Sequence, residues 1–353
     1  MKRLGAWLIL AALILASAAF PCTTFVINAG DERAAGKNYD WMIGDGLVVV
    51  NHRGIAKEAV AADHAASWVS RYGSITFCQY GREFPLGGMN EAGLVAEVMW
   101  LDETVYPAPD DRAAVSSLQW VQYVLDTCAT VAEVVAAQED IRVAEGGACI
   151  HYLVADASGD AATVEYVAGE TIVHAGDRMP WPALANNTYD DSLAFMTATG
   201  PAGPDAAAIQ GPGSLERFCR AALRARAYNP LGGLPPATDY AFGVLDNVAN
   251  ADWTLWSIVY DPGAKTVAFK TRKDPQIKRV ALSDFDFAPE AVVKIRDVNA
   301  PGEGGAASFE DYSYERNRAL VDAAFDGTDF LKDVPEEGRE GMARYPESTH
   351  AAP

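Results

Sequence analysis

The sequence predicts an α+β fold in which antiparallel β-sheets are covered by helical layers. Strand-like runs dominate the chain, and several of them form hairpin pairs across short turns that contain Asp and Gly. Helical segments are fewer and lie in groups between the hairpins. Because a sheet buries its apolar face against another layer, this order of elements predicts sheets with helices packed against them.

Two hairpins are the clearest elements. The first joins residues 150–155 to residues 163–167, and the second joins residues 256–260 to residues 266–270 across the turn Asp261-Pro262-Gly263-Ala264. Both are predicted to be antiparallel pairs. Further strands are predicted at residues 22–28, 47–51, 74–79, 94–100 and 171–174.

Local signals also predict the helices. Residues 117–128 form the first helix, and Thr130 followed by Glu133 is a capping box that begins the second. The other helices are expected at residues 214–227, 238–250 and 309–325.

The amino terminus has the features of a secretory leader. Lys2 and Arg3 precede an apolar stretch over residues 4–16, and small residues follow at positions 16–19. A basic start, an apolar segment too short to span a membrane comfortably and a small-residue exit are typical of such leaders. We therefore expect an exported protein, periplasmic or extracellular, without membrane insertion once the leader has left.

The chain is predicted to have three parts. Residues 1–21 comprise the leader and a short remnant that is removed during maturation. Residues 22–298 form the main domain. Residues 299–353 form a Gly-rich linker and a carboxy-terminal extension, partly helical, whose Pro- and Glu-containing end at residues 334–353 we expect to be disordered or loosely docked.

Charge and cysteine content restrict the function. The formal net charge of −20 argues against nucleic acid and anionic membranes as partners, because both would be repelled. The cysteines at positions 22, 78, 128, 149 and 219 contain no CxxC pair, and the histidines show no ligand spacing. We expect no metal and no cofactor. Four of the cysteines either pair or are buried thiols, and Cys22 is the candidate to remain unpaired.

Cys22 is the candidate nucleophile. Loss of residues 1–21 would leave it with a free α-amine beside its thiol, and the ordinary pKa values of these groups, roughly 8 and 8.5, allow proton exchange between them. A lipid-anchored cysteine is a weaker alternative because Pro21, not a small residue, precedes it. Half of a disulfide and a buried structural thiol remain open alternatives.

Polar side chains in four segments accompany Cys22. Lys37 and Asp40 lie at the end of the strand that is expected to pair with the Cys22 strand. There they could favour the thiolate form of Cys22 and orient its α-amine. Asn90 lies at a glycine-rich corner and Asn186 at a strand exit, where an amide could serve an oxyanion. Each also has an ordinary interpretation: a surface turn for the Lys37 segment and a left-handed turn residue for Asn90. The run Asn186-Asn187-Thr188 matches a glycosylation sequon, although a glycan there would obstruct a catalytic role.

Arg217 completes the set in a predicted helix, where an arginine is more often a solvated or salt-bridged surface residue. Tyr39, Trp41, Trp100 and Tyr189 flank these segments. They could line an apolar acyl pocket, although aromatic residues at such positions often only fill a core.

These segments, in this order after Cys22, resemble the choloylglycine hydrolase family of linear amide C-N hydrolases. This family includes penicillin V acylases and bile salt hydrolases and belongs to the N-terminal-nucleophile (Ntn) hydrolases. The specific parts are Cys22-Thr23, residues 38–41 and residues 88–94. The resemblance implies an αββα Ntn-hydrolase sandwich, with residues 22–298 as its catalytic domain, and a homo-oligomer of the tetrameric kind.

The resemblance also implies residue roles. Cys22 is the nucleophile and, through its amine, the base, while Asp40 holds that amine. Asn90 and Asn186 bind the substrate carbonyl and the oxyanion, and Arg217 supports the network. Lys37 stands where the family commonly has arginine, so the bidentate hydrogen bonding of an arginine is not carried over.

The expected substrate is a small N-acyl amide of the penicillin V, conjugated bile salt or N-acyl homoserine lactone type. Two alternatives remain open from the sequence. An acyltransferase would pass the acyl group from the same thioester to another amine, and a secreted binding protein would use its cysteines only for structure.

Overall fold

The computed structural model describes residues 21–61, 63–144, 147–199 and 209–353. Residues 1–20 of the predicted leader lie outside the described residues. Within the described residues no helix is both long enough and apolar enough to cross a membrane.

The described residues contain twenty β-strands and seven α-helices. In chain order the strands are β1 (Thr23–Ala29), β2 (Glu32–Asp40), β3 (Leu47–Asn51), β4 (Ile55–Glu58), β5 (Ser67–Val69), β6 (Ser74–Cys78), β7 (Pro85–Asn90), β8 (Val95–Trp100), β9 (Ala113–Val115), β10 (Ile141–Val143), β11 (Ile150–Ala155), β12 (Ala161–Val167), β13 (Glu170–Ala175), β14 (Ala183–Leu184), β15 (Thr254–Asp261), β16 (Thr266–Thr271), β17 (Lys278–Ala281), β18 (Lys294–Asp297), β19 (Glu310–Asp311) and β20 (His350–Ala351). The helices are α1 (Ser117–Thr127), α2 (Val131–Ala137), α3 (Tyr189–Thr199), α4 (Ser214–Arg226), α5 (Ala237–Val248), α6 (Tyr314–Gly327) and α7 (Glu336–Arg344).

Two antiparallel sheets form the centre of the molecule. The first has the strand order β14-β1-β2-β15-β16-β17, and the second has the order β13-β12-β11-β8-β7-β6-β3-β18-β19. Their facing sides meet in an apolar core, where the ring of Phe77 on β6 contacts Trp256 on β15 and Phe269 on β16. Helices α4 and α5 cover the first sheet, and α1 covers the second. The predicted layers of helix, sheet, sheet and helix are confirmed.

Local sequence signals predicted several of these elements. The hairpins β11–β12 and β15–β16 pair as expected, and the Thr130 hydroxyl accepts a hydrogen bond from the Glu133 amide to begin α2. Helix α6 begins at Tyr314 instead of Phe309, because the Ser313 hydroxyl caps it by accepting a hydrogen bond from the Arg316 amide.

The prediction of a disordered or loosely docked end at residues 334–353 is wrong. Helix α7 lies against α6, Ala343 is fully buried, and β20 pairs with β4. The polar composition of this segment suggested that water would surround it. Instead, Arg318 of α6 forms ion pairs with Glu336 and Glu340 of α7. The predicted boundary at residue 299 stays a prediction, although β18 and β19 on its two sides pair with each other.

All five cysteines are unpaired thiols in the structure. Those at positions 22, 78, 128 and 219 are buried, and Cys149 is half-buried. Burial raises the pKa of Cys78 to about 12 and that of Cys219 to about 11, so these two thiols are inert structural residues.

Candidate active site

The first hairpin places Cys22 beside Asp40. In the antiparallel register Thr23 lies opposite Asn38 and Thr24 opposite Lys37, so the residue before β1 lies level with the end of β2. The Cys22 thiol donates a hydrogen bond to the Asp40 carbonyl at 3.6 Å. Because successive side chains of a strand point to opposite faces, Lys37 and Asp40 approach Cys22 from different sides of the sheet.

Buried charges surround the Cys22 thiol. Burial raises its pKa, and the Lys37 ammonium is the largest influence that lowers it. Lys37 is itself only 1 % exposed, and its Nζ donates a hydrogen bond to the Val98 carbonyl and lies 3.9 Å from the Glu97 carboxylate. The Lys37 ammonium therefore opposes the effect of burial on the pKa of this thiol.

Asp40 has a buried carboxyl group without a matched donor. Both of its oxygens are inaccessible to solvent, and neither accepts a hydrogen bond of normal geometry from the described residues. Burial raises the pKa of Asp40 to about 7, opposed in part by Thr254 and Arg217. An unpartnered buried carboxyl is costly, which makes this group unusual for a purely structural residue.

Arg217 of α4 joins the start of β1 to the loop that carries Asn186. Its guanidinium donates to the carbonyls of Pro21 and Cys22 and to the Thr23 hydroxyl, the last at 2.6 Å. The same group donates to Asn186 Oδ1 at 2.9 Å. Burial lowers the pKa of Arg217 to about 10, so it remains charged near neutral pH. Arg217 is therefore a buried residue, and its ordinary interpretation as a solvated surface arginine is wrong.

Asn186 is held in a fixed orientation with donor capacity remaining. Its Oδ1 is occupied by Arg217, so its Nδ2 must point the other way, where it donates to the Trp100 carbonyl at 2.9 Å. An amide nitrogen has two hydrogens, and this bond uses one of them. The second hydrogen has no acceptor among the described residues.

A buried pair of side chains that the sequence analysis missed supports the Asn186 loop. His151 Nε2 lies 2.9 Å from the Ala185 carbonyl, and Glu165 accepts from the Tyr189 amide at 3.0 Å, so the pair holds the backbone on both sides of Asn186. The carbonyl can only accept, which places a proton on Nε2. His151 Nδ1 lies 2.8 Å from Glu165 Oε1.

The prediction that Asn90 binds the oxyanion is wrong. Its Nδ2 donates both hydrogens to backbone carbonyls at the end of α1, those of Leu125 at 2.8 Å and Cys128 at 2.7 Å. Its Oδ1 accepts from the amides of Ala92 and Leu94. With both donors used inside the fold, Asn90 holds a tight turn and has nothing left for a substrate.

An apolar cavity of about 190 Å³ opens beside Cys22. Three of the predicted aromatic residues, Tyr39, Trp41 and Trp100, line it. The prediction that Tyr189 binds substrate is wrong, because its ring packs on His174 and Phe218 in the core and its hydroxyl bonds to the Trp181 backbone. The Cys22 thiol bonds to the Asp40 carbonyl, Arg217 bonds to the Cys22 carbonyl, and Asn186 bonds to Arg217. Lys37 influences Cys22 through its charge.

The sequence analysis also missed one wall of this cavity. Phe325, Phe330, Leu331 and Met342 belong to the carboxy-terminal segment and line the cavity together with Cys22. The apolar residues within that polar segment were the available signal. Their contact with Cys22 could not be predicted, because these residues are far apart in sequence and meet only in the folded chain.

Among the described residues, no group of three or more His, Cys, Asp or Glu side chains is arranged to bind a metal ion.

Comparison with known proteins is consistent with this geometry. The profile of the linear amide C-N hydrolases, choloylglycine hydrolase family, matches residues 22–198. Penicillin V acylase of Pectobacterium atrosepticum is 27 % identical over 328 residues, which cover 79 % of this chain and 86 % of the relative.

Two solved structures share the fold. The structure of penicillin V acylase from Agrobacterium tumefaciens superposes with a TM-score of 0.72 at 29 % identity, covering 83 % of this chain and 98 % of the other. A variant of conjugated bile acid hydrolase from Clostridium perfringens gives 0.65 at 16 % identity, covering 81 % and 98 % of the two chains. The second likeness concerns the fold alone.

Proposed function

This chain belongs to the choloylglycine hydrolase family of linear amide C-N hydrolases, and we propose that Cys22 becomes its amino-terminal residue and cleaves the amide of an N-acyl substrate. The observation that carries this proposal is the Asp40 carboxyl group, which is buried beside Cys22 and accepts no hydrogen bond of normal geometry from the described residues. Removal of residues 1–21 would create a free α-amino group at Cys22, which can donate to this carboxyl. The carboxylate then orients the amine and favours its charged form.

The reaction follows from the groups around the sulfur. The α-amine accepts the thiol proton, the thiolate attacks the acyl carbonyl carbon, and a tetrahedral oxyanion forms. The amide C–N bond then breaks, and the leaving amine takes the proton from the α-ammonium. Water attacks the resulting thioester with the α-amine as base, which releases the carboxylic acid and restores the thiol.

Two features lower the barrier in this scheme. Lys37 favours negative charge on sulfur before attack. The unused hydrogen of the Asn186 amide, held by Arg217 and the Trp100 carbonyl, donates to the oxyanion that develops during attack. Preorganised donors of this kind need no reorientation during the reaction.

The cavity supports an apolar acyl group as the recognised part of the substrate. Its lining is almost entirely aliphatic and aromatic, and it leads directly to the Cys22 sulfur. Penicillin V, conjugated bile salts and N-acyl homoserine lactones each join an apolar acyl part to a polar amine part. Hydrolysis of a substrate of this type is the function that the site supports best.

A screen of N-acyl amides with amine release as the readout tests this function. We expect amine release from at least one member of the three substrate types, and we expect alkylation of Cys22 to abolish it. Product analysis with an added amine separates hydrolysis from acyl transfer. Release that survives complete alkylation of Cys22 would exclude this residue as the nucleophile.

A further inference from the structure

We propose that the carboxy-terminal segment determines the length of acyl group that the enzyme accepts, by closing the far end of the cavity. This inference rests on the proposed function, since it assigns the acyl site of the same reaction. The residues that form this acyl-site wall are Phe325, Phe330, Leu331 and Met342. All four lie outside residues 22–198, the part of the chain that matches the family profile.

The wall is in contact with other aromatic residues that line the cavity. The Phe330 ring lies 6.2 Å from the Trp41 ring and 6.1 Å from the Trp100 ring, measured between centroids. Phe325 lies 6.3 Å from Tyr80, another lining residue. Phe330 therefore completes a cluster whose other members are Trp41, directly after β2, and Trp100, at the end of β8. An acyl group attached to Cys22 would lie against this cluster.

Hydrogen bonds and ion pairs hold the wall in place. Phe330 and Leu331 belong to the turn between α6 and α7, and Arg339 of α7 donates to the Lys332 and Val334 carbonyls of that turn at 2.9 and 3.2 Å. Arg339 also pairs with Asp326 of α6 at 2.6 Å. One guanidinium thus joins both helices to the turn, so the wall has a defined shape.

The size of the cavity matches a compact acyl group. A buried apolar cavity of about 150 Å³ accommodates benzene, and the volume here is about 190 Å³. A single aromatic ring with a short linker, as in a phenoxyacetyl group, fills such a space. A long alkyl chain or a fused-ring acyl group would have to displace Phe330 or remain partly in water.

Phe330→Ala tests this assignment with N-acyl amides that share one amine and carry phenoxyacetyl, hexanoyl or dodecanoyl groups. For the wild type we expect kcat/KM to be highest with phenoxyacetyl and lowest with dodecanoyl. In the variant we expect kcat/KM for phenoxyacetyl to fall roughly 10- to 100-fold, since most of the contact of one ring is lost. The dodecanoyl substrate should be unaffected or improved, which reverses the preference.

Val334→Ala is the matched control, because Val334 lies on the same turn, packs on the core and does not line the cavity. It should retain the wild-type order of substrates. If Phe330→Ala is active and keeps the wild-type order of substrates, the wall does not determine acyl length, and the proposed function is unaffected. If the wild type hydrolyses none of the amides, calorimetry measures the binding of phenoxyacetic acid to both proteins instead. Weaker binding by Phe330→Ala supports the role of the wall, and equal binding contradicts it.

Discussion

Cys22→Ser is expected to reduce kcat for amide hydrolysis at least about 10⁴-fold while the fold remains intact. A serine hydroxyl does not reach its anion near neutral pH, whereas the Lys37 ammonium and a free α-amine favour the cysteine thiolate. The oxygen also fits the space left by the sulfur, so the buried surroundings should change little. Steady-state kinetics measure the loss, and circular dichroism checks the fold.

Cys149→Ser is the matched control for that variant. Cys149 is half-buried and unpaired, and it does not line the cavity, although residues on both sides of it do. The control should keep kcat within about threefold of the wild type, as is usual for a substitution outside the reacting groups. If Cys22→Ser were to behave like this control, the nucleophile would have to be another residue.

Asn186→Ala is expected to lower kcat by about a hundred- to a thousandfold, because it removes the amide hydrogen that we propose donates to the developing oxyanion. KM should change much less, since the bond strengthens only as negative charge develops on the substrate oxygen. A loss confined to KM would contradict the assignment and make Asn186 a binding residue only.

Asn90→Ala provides the contrast. It deletes an amide that makes four hydrogen bonds to backbone groups of a buried turn, so the free energy of unfolding should fall by at least about 2 kcal/mol. The folded fraction should keep its kcat. Urea unfolding with kinetics on the same samples separates the two asparagines: one change affects turnover, and the other affects stability.

The elements that the sequence predicts correctly are those determined by neighbouring residues. The hairpin of β15 and β16 depends on a turn between two apolar runs, and α2 depends on the Thr130 cap. Cys22, Lys37 and Asp40 were also identifiable, because a single hairpin register places them together. For such features the interacting residues are close in the chain, and short-range patterns carry the information.

Where the prediction fails, the deciding contacts are remote in sequence. Asn90 has the residue type and turn position of an oxyanion donor, but its amide is used by carbonyls at the end of α1. Tyr189 stands next to the Asn186 loop, yet its ring enters the core. The carboxy-terminal segment is polar in composition, and only its packing shows that Phe330 faces the cavity.

The central claim is that the active enzyme begins at Cys22, with its own α-amine moving the proton. Intact mass measurement of the purified, active chain tests this most directly. We predict a mass that corresponds to residues 22–353, and loss of activity in a variant whose chain still extends ahead of the cysteine. A fully active protein whose mass includes Phe20 and Pro21 would contradict the claim, because no free amine would then exist beside the sulfur.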